Sequence, residues 1–442
     1  MSLKILYSGI VPATGLGDAL QYLVGVLLAH KNIPNSEITL SMPNIEHTKH
    51  IIEPALTIKE SKKITVVSGL YEQASLISLL KSMKYKSRPQ IPSSRLGHKG
   101  ILLSMDLPVP LATLIYYGVR PSLCRFLKGL RYDACLIGGH TIEAGAFTIY
   151  ITTYNCARTI TKGPLITFPI SASSIGLRKK AKLLRILKMS LNKLDMIFVR
   201  GKHSYSILAK IVKDDYRLDT ALDSGFAIKL LYPSLSKFSQ KTHKLVIGVT
   251  PRKDYFYTYG RTRLYTQYLK LLKCLIENLT KKFDAEVLLI PHSLKSVEEA
   301  IDLSDESAVD DLVHILSDHV KEDAKVTNPL NVLDSLKIIN SCDILVTSRM
   351  HAGIIALAYG KPAIFFMPKE DIKVLDVLST LGLDKDLYLV DSFNPREYEK
   401  LISITNHIIQ NLSRETKVVK YAVNRHLPEV KKPVILMRKL LT

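Results

Sequence analysis

Tryptophan is absent from this 442-residue chain, and cysteine is scarce: Cys124, Cys135, Cys156, Cys274 and Cys342 form no C-x-x-C pair and no tight Cys/His cluster. That scatter excludes a zinc finger and a disulfide framework, and it suits a reducing, cytoplasmic setting. Met1 to Gly9 runs straight into a strand-like segment with neither a basic region nor a small-residue cleavage site, so it does not read as a signal peptide. Apolar stretches of membrane-spanning length are also lacking. The longest, Ile101 to Val119, contains Asp106, Pro108 and Pro110, a combination unsuited to a spanning helix of about 20 residues, and it reads as buried chain. Gly 21 and Pro 20 are spread along the sequence, which excludes collagen-like, low-complexity and wholly disordered chains. Negative charge is in deficit: 40 Asp and Glu against 61 Lys and Arg leave +21. The expected partners are therefore anionic: phosphates, carboxylates, nucleic acid or an anionic membrane surface. The missing tryptophan, 21 tyrosines and abundant lysine together match thermophile composition.

What is present is 47% hydrophobic residues, enough for real cores, in a length that at roughly 150 residues per domain predicts two or three domains. Short aliphatic runs alternate with helix-period segments from end to end, the mark of parallel sheets covered by helices, so the fold class is α/β. Strands are expected at 3–8, 37–41, 64–68, 133–137, 165–169 and 196–200, with helices at 18–30, 71–83 and 178–192. A second series of strands is expected at 245–250, 286–290, 324–327, 343–347, 362–366 and 388–390. Tyr232 to His243, rich in Ser and Lys and without periodicity, marks the boundary, giving domains 1–232 and 244–412. A helix is expected over Pro395 to Leu412. Residues 413–442 follow as a basic tail with eight Lys/Arg against two Glu, read as a solvated terminal segment packing on one domain, in preference to a membrane or nucleic-acid contact. Arg178 to Asn192 interleaves six cations with leucine and isoleucine. It reads as the solvated face of a core-packed helix, in preference to a helix lying on anionic lipid.

In open α/β sheets ligands bind beyond the carboxyl ends of the strands. In the second series those ends carry Arg252, His292, Arg349 with His351, and Lys369. If the strands are neighbours, these groups converge on a site suited to a small, multiply charged anion. The densest segment is Ser348-Arg349-Met350-His351-Ala352-Gly353. A helix from Ala352 to Tyr359 would turn its free N–H groups to the ligand. Arg349 can grip a carboxylate or phosphate bidentately, and His351 can move a proton near neutrality. Residues two apart share a side only in extended or turn conformation, which is therefore expected at 349–351. The bland alternative has His351 capping the helix or bonding a core carbonyl.

Asp343-Ile344-Leu345-Val346, Ser348-Arg349-Met350-His351-Ala352, Ala356-Leu357-Ala358 and Gly360-Lys361-Pro362-Ala363-Ile364 resemble the strand, R-x-H and G-x-P segments of the polysaccharide pyruvyl transferase family. Looser matches are Gly15-Leu16-Gly17-Asp18, Leu136-Ile137-Gly138-Gly139, Val199-Arg200 before Ser204, Val249-Thr250-Pro251-Arg252 and Ile290-Pro291-His292. The family usually has Asn two residues before the glycine of its G-D pair and Glu after the Asp; here those positions are Gly15 and Ala19. The resemblance implies two Rossmann-like domains facing across a cleft (GT-B-like), an amino-terminal acceptor side and a carboxyl-terminal donor side. It also implies transfer of a pyruvyl group from phosphoenolpyruvate to two sugar hydroxyls, forming a ketal in cell-surface polysaccharide or glycan synthesis. His351 would then be the catalytic acid and Asp18 an acceptor contact or base, with a helix N-cap as the other reading of Asp18. Arg349, Arg252, His292 and Lys369 would bind the anionic substrate, with Met350 and Ala352 lining it. Neither a metal nor an organic cofactor enters this scheme. The sugar or glycan acceptor is free, nucleotide-bound or lipid-linked, and the enzyme is expected in the cytoplasm, with peripheral contact at the anionic inner membrane surface.

The nearest rival is a GT-B nucleotide-sugar glycosyltransferase or sugar epimerase. Retaining enzymes of that fold often hold the donor ribose with an acidic residue five positions before the glycine of the G-x-P turn, and here that position is Ile355. A non-catalytic nucleic-acid-binding protein is the reading prompted by charge alone, but no RNA-binding signature or aromatic-interleaved basic strand is present, so no specific nucleic-acid partner is expected. A dinucleotide oxidoreductase would need a third glycine where Leu20 stands.

Overall fold

The computed structural model describes residues 2–9, 16–42, 50–68, 131–142, 147–173, 181–212, 215–237, 244–293 and 303–442. The expected helix at 71–83, the apolar run 101–119, Gly15 and the later part of the 232–243 boundary segment lie outside them. The described residues fall into two compact units, one drawn from Met1–Ala13, Gln21–Ser224 and Glu429–Thr442, the other from Thr14–Leu20 and Gly225–Pro428.

In the first unit, strands β1 (Leu3–Ser8), β2 (Ser36–Met42), β3 (Ile64–Ser68), β4 (Ala134–Ile137) and β5 (Leu165–Thr167) form one parallel sheet in the order β3-β2-β1-β4-β5. Helices α1 (Leu16–Asn32), α2 (Phe147–Ile160) and α3 (Ala181–Leu191) belong to the connections, and the first turn of α1 groups with the second unit. β4 and β5 are buried throughout, which is why they read in sequence as short uninterrupted apolar runs. α3 carries the later part of the basic stripe, and its Leu187 and Leu191 enter the core with Tyr154, Leu165 and Val199, so Arg185 and Lys188 ride on a core-packed helix.

The second unit repeats the plan. Strands β6 (Val246–Thr250), β7 (Glu286–Leu289), β8 (Ala324–Val326), β9 (Ile344–Thr347), β10 (Ala363–Met367) and β11 (Leu389–Asp391) order as β8-β7-β6-β9-β10-β11, all parallel. Their long connections are α4 (Thr262–Phe283), α5 (Asp305–Ile315), α6 (Val332–Ser341), α7 (Met350–Ala358), α8 (Ile372–Leu381) and α9 (Tyr398–Gln410). The strand order reverses between β6 and β9, the switch point at which open α/β sheets take their ligands. β9 and β10 are wholly buried, and α7 is buried from Ala352 to Ala358. Gly353 allows that closeness: a Cβ there would lie 2.2 Å from the Phe365 ring on β10.

The division differs from the one read in the sequence. The second unit begins at Gly225, and the basic tail is two helices, α10 (Leu412–His426) and α11 (Lys432–Leu441). α10 belongs to the second unit, with Val419 and Val423 fully buried. α11 belongs to the first unit, where Val434 and Met437 are fully buried. All the cations of the tail but Lys431 lie on these amphipathic helices, whose apolar sides the charge count conceals. Among the described residues no helix is long and apolar enough to cross a membrane.

Candidate active site

The switch point of the second unit is built from facing threonines. Thr250 and Thr347 are register partners at the ends of β6 and β9, and their hydroxyls bond at 2.5 Å. Each strand then leads to an arginine, Arg252 two residues on and Arg349 two residues on. Arg349 is the extended N-cap residue of α7, its N–H donating to Thr347 Oγ1 at 2.9 Å. The helix therefore starts at Met350, two residues earlier than the spacing suggested. Arg349 keeps the extended conformation expected of it, and His351 is the second residue of the helix, half-buried in a first turn that the Arg349 side chain does not cap. Tyr268, fully buried on α4, ties the two loops together: its hydroxyl accepts from Arg252 N at 2.9 Å and bonds Ser348 Oγ at 2.8 Å.

Neither guanidinium is bare. Arg349 sends Nε to both oxygens of Asp305 (3.1 and 2.9 Å) and Nη2 to Asp305 Oδ1 at 2.5 Å and Asp254 Oδ1 at 3.2 Å. Arg252 grips Asp254 bidentately at 2.5 and 2.7 Å and stacks over Tyr255, 3.1 Å from the ring centroid. Nη1 of Arg349 takes no part in these bonds. Asp305 is 0% exposed, so burial pushes its carboxyl up from the usual range while the adjacent Arg349 draws it back. Burial pushes Asp254 the same way, but Arg252 and then Arg349 outweigh it and hold that carboxyl well below the usual range. Arg252 is held cationic by Asp254 against the opposing effect of burial.

Asp305 joins a third strand end to the cluster. As first residue of α5, after the Ser304 N-cap, it accepts from His292 N at 3.1 Å and Ser293 N at 2.9 Å. His292 is 2% exposed; Nδ1 meets Ser335 Oγ at 3.3 Å, and Nε2 has no hydrogen-bond partner among the described residues. Burial, then the Arg349 charge, push His292 down to about 3, so it is a neutral imidazole with one unfilled ring nitrogen. Its carbonyl accepts from Leu16 N at 3.0 Å, which seats the first turn of α1 on this loop. Gly17 in that turn lies against His351: a Cβ there would be 2.5 Å from its Nδ1 and 2.7 Å from its Cβ. Asp18 is in the same turn, one residue on, inside the helix and not at its cap.

Of the residues singled out in the sequence, Arg252, His292, Arg349 and His351 are thus brought to one region, with Met350 and Ala352 buried in the first turn of α7. Lys369 is not. It is exposed and pairs with Glu397 at 2.7 Å. The position after β10 leads to the surface, where a lysine finds the nearest carboxylate. Asp254, Asp305 and Tyr268 escaped the sequence reading. The signal for Asp305 is Ser304-Asp305-Glu306, an N-cap followed by acids, which reads first as ordinary helix initiation. Among the described residues no group of three or more His, Cys, Asp or Glu is placed to hold a metal ion.

The first unit has a second polar centre at its own switch point. Arg200, just beyond Ile197–Val199, pairs with Asp223 at 2.6 Å with both essentially closed to solvent, and Arg200 Nη1 donates to Ser171 Oγ at 3.1 Å. His140, after β4, bonds Gly138 O at 2.8 Å and Tyr154 Oη at 2.7 Å, and burial pushes it down to about 3. The Gly138-Gly139 and Arg200 segments noted in the sequence thus belong to a buried polar network of the first unit.

Comparison with known proteins places this geometry. The solved structure of UDP-GlcNAc 2-epimerase from Neisseria meningitidis bound to UDP-GlcNAc superposes with a TM-score of 0.55 at 12% identity, covering 100% of both chains. Anabaena HepE in complex with UDP and glucose gives 0.52 at 14% identity, covering 99% of this chain and 97% of that one. MnaA of S. aureus with UDP gives 0.53 at 12% identity, covering 99% and 98%. These likenesses establish the GT-B fold of two Rossmann-like domains. No curated protein matches the sequence. The polysaccharide pyruvyl transferase family profile matches residues 16–370, a span that takes in the first turn of α1 and every strand end of the Arg252, His292 and Arg349 cluster: the chain belongs to the polysaccharide pyruvyl transferase family.

Proposed function

We propose that the protein transfers a pyruvyl group from phosphoenolpyruvate to two hydroxyls of a sugar or glycan acceptor, forming a cyclic ketal and releasing phosphate. The observation that carries this reading is the Arg349–His351 pair at the start of α7. An arginine whose Nη1 stays out of its bonds to Asp305 and Asp254 and a histidine in the first turn of a helix stand together at the switch point, with Arg252 sharing Asp254. A carboxylate and a phosphate on one small molecule need two anion-binding elements, and the arginine edge and the helix N-terminus are two. His351 in its imidazolium form delivers a proton to the methylene carbon of the donor, which becomes the methyl group. The first sugar hydroxyl adds to the resulting oxocarbenium carbon and loses its proton. Departure of phosphate and addition of the second hydroxyl, with loss of its proton, close the ketal. His292, neutral and with an open Nε2, supplies a further hydrogen bond to the donor.

The reaction as proposed uses no metal and no organic cofactor. The acceptor is a sugar or glycan, free or carried on a nucleotide or lipid, and the enzyme works in the cytoplasm with peripheral contact at the membrane. Ile355, fully buried in α7, stands where a ribose-binding acid would be expected and weighs against a nucleotide-sugar donor. Thermal-shift titration decides between the two. At about 100 times its dissociation constant a ligand stabilises the fold by roughly 2.7 kcal/mol. Stabilisation by phosphoenolpyruvate that is lost in Arg349→Ala supports pyruvyl transfer. A response to nucleotide sugars alone rejects it in favour of a glycosyltransferase or epimerase.

A further inference from the structure

We propose that Asp305 is the positioning residue of this site: its carboxylate fixes Arg349 by Nε and Nη2 so that only the Nη1 edge is offered to an oxyanion, and the same carboxylate sets the His292 loop beside it. The proposal rests on the reading of this region as the anion site of the enzyme. A side chain with four rotatable torsions, 15% exposed, has many ways to place its charge. A fork-to-fork bond to a carboxylate with no solvent access leaves it one. Asp305 is that carboxylate, and it cannot swing, because its second oxygen also accepts the His292 and Ser293 N–H groups. Its own backbone N–H donates to Ser293 O at 3.0 Å, and Ser304 caps the helix it begins.

A structural salt bridge explains less of this arrangement. Asp305 gathers the ends of β7 and β9 and the start of α5 onto one carboxyl group; of the partners it orients, Arg349 keeps Nη1 out of its bonds to Asp305 and Asp254, and His292 Nε2 is buried with no partner among the described residues. A buried ring nitrogen without a partner among the described residues, beside an arginine edge that the carboxylates do not engage, points to a ligand that completes them. Asp254 has the corresponding outer position. It is 29% exposed and shared between Arg252 and Arg349, so it spaces the two guanidinium groups without burying either.

The test is calorimetric titration of phosphoenolpyruvate, and of inorganic phosphate as a simpler probe, into wild type, Asp305→Asn and Arg349→Lys, joined to crystal structures of the folded variants. Asparagine keeps the shape and one acceptor but removes the charge and the two-oxygen grip. The expected result is a dissociation constant raised tenfold or more at unchanged binding stoichiometry, with the Arg349 guanidinium turned away from its present place. A fall in stoichiometry at unchanged affinity means that Asp305 only holds the fold, and it overturns the proposal, as does an Arg349 side chain that stays where it is in Asp305→Asn. If Asp305→Asn does not fold, Arg349→Lys decides. Lysine keeps the charge and cannot take the grip, so near-wild-type phosphate affinity in that variant overturns the proposal. If wild type binds phosphate and not phosphoenolpyruvate, the pyruvyl-transfer reading fails on its own, and the phosphate titrations and crystal structures still decide the role of Asp305.

Discussion

Gly17 and His351 are pressed together: a single carbon added at Gly17 would stand 2.5 Å from His351 Nδ1 and 2.7 Å from its Cβ. The first turn of α1 thereby reaches the residue proposed as the acid, from a position more than three hundred residues away in sequence. A Gly→Ala change inside a helix is ordinarily worth up to about 1 kcal/mol of added stability. Here the added methyl meets the stem of the histidine as well as its ring, so rotation alone does not relieve it. Gly17→Ala is expected to displace His351 and lower phosphate release from phosphoenolpyruvate, in the presence of acceptor, at least tenfold. Melting temperature measured alongside gives the control: undiminished turnover with a raised melting temperature would remove the steric coupling.

Arg349→Ala should do more than weaken substrate binding. It leaves Asp305, 0% exposed, without its counter-charge, and breaking one side of a buried pair costs about 3–5 kcal/mol. The pH dependence carries the sign. Burial holds the Asp305 carboxyl above its unfolded value, so the ionised form penalises the fold at neutral pH, and the penalty is lost as pH falls through the folded value. The stability gap between wild type and Arg349→Ala, measured by urea denaturation from pH 8 to pH 5, should therefore narrow on acidification. A gap that is small at pH 8 and constant would show that Asp305 does not depend on Arg349.

Much of the fold was legible in the sequence, for a definite reason. Strands such as 344–347 and 363–367 are buried on both faces, and a doubly covered parallel strand reads as an unbroken aliphatic run. Arg252, His292 and Arg349 were legible as a group because topology sends successive strand ends to one edge of a sheet. Their partners were not. Asp254 and Asp305 stand in helical first turns, where acidic residues are ordinary, and nothing local tells a dipole-favoured carboxylate from one that grips an arginine. Tyr268 lies mid-helix among other apolar residues, and its hydroxyl matters only because Arg252 N and Ser348 meet it from two loops. The tail packs as expected, but its helices group with different units, a division that charge counted along the chain does not show; burial of Val423 and Met437 follows the helical period.

His140 and His292 should make the protein sensitive to mild acid. Burial holds both folded-state values down to about 3, and the Arg349 charge adds to this at His292. The unfolded chain takes up these protons near pH 6.5. Between roughly pH 6.5 and pH 3 the unfolded state holds protons that the folded state excludes, so stability declines as pH falls, by up to about 1.4 kcal/mol per pH unit for each histidine. His140→Gln removes one of them in the first unit, leaving Arg349 and Asp305 of the second unit unaltered. Its urea-denaturation free energy should fall less steeply than that of wild type between pH 7 and pH 5. Parallel slopes would mean that His140 already shares its proton in the folded state.

Lys369 supplies the contrast that separates charge from position. It follows a strand of the same sheet, β10, and its sequence setting resembles that of the arginines. Yet its side chain is 43% exposed, and its ammonium bonds Glu397. That carboxylate is the first influence holding Lys369 above its ordinary value, and an exposed pair of this kind contributes about 0–1 kcal/mol. Lys369→Ala should accordingly leave phosphoenolpyruvate affinity within about twofold of wild type, while Arg349→Ala abolishes the thermal shift; both follow from one calorimetric series. A tenfold loss in Lys369→Ala would mean that the lysine leaves Glu397 for the substrate, and the anion site would then extend to the end of β10.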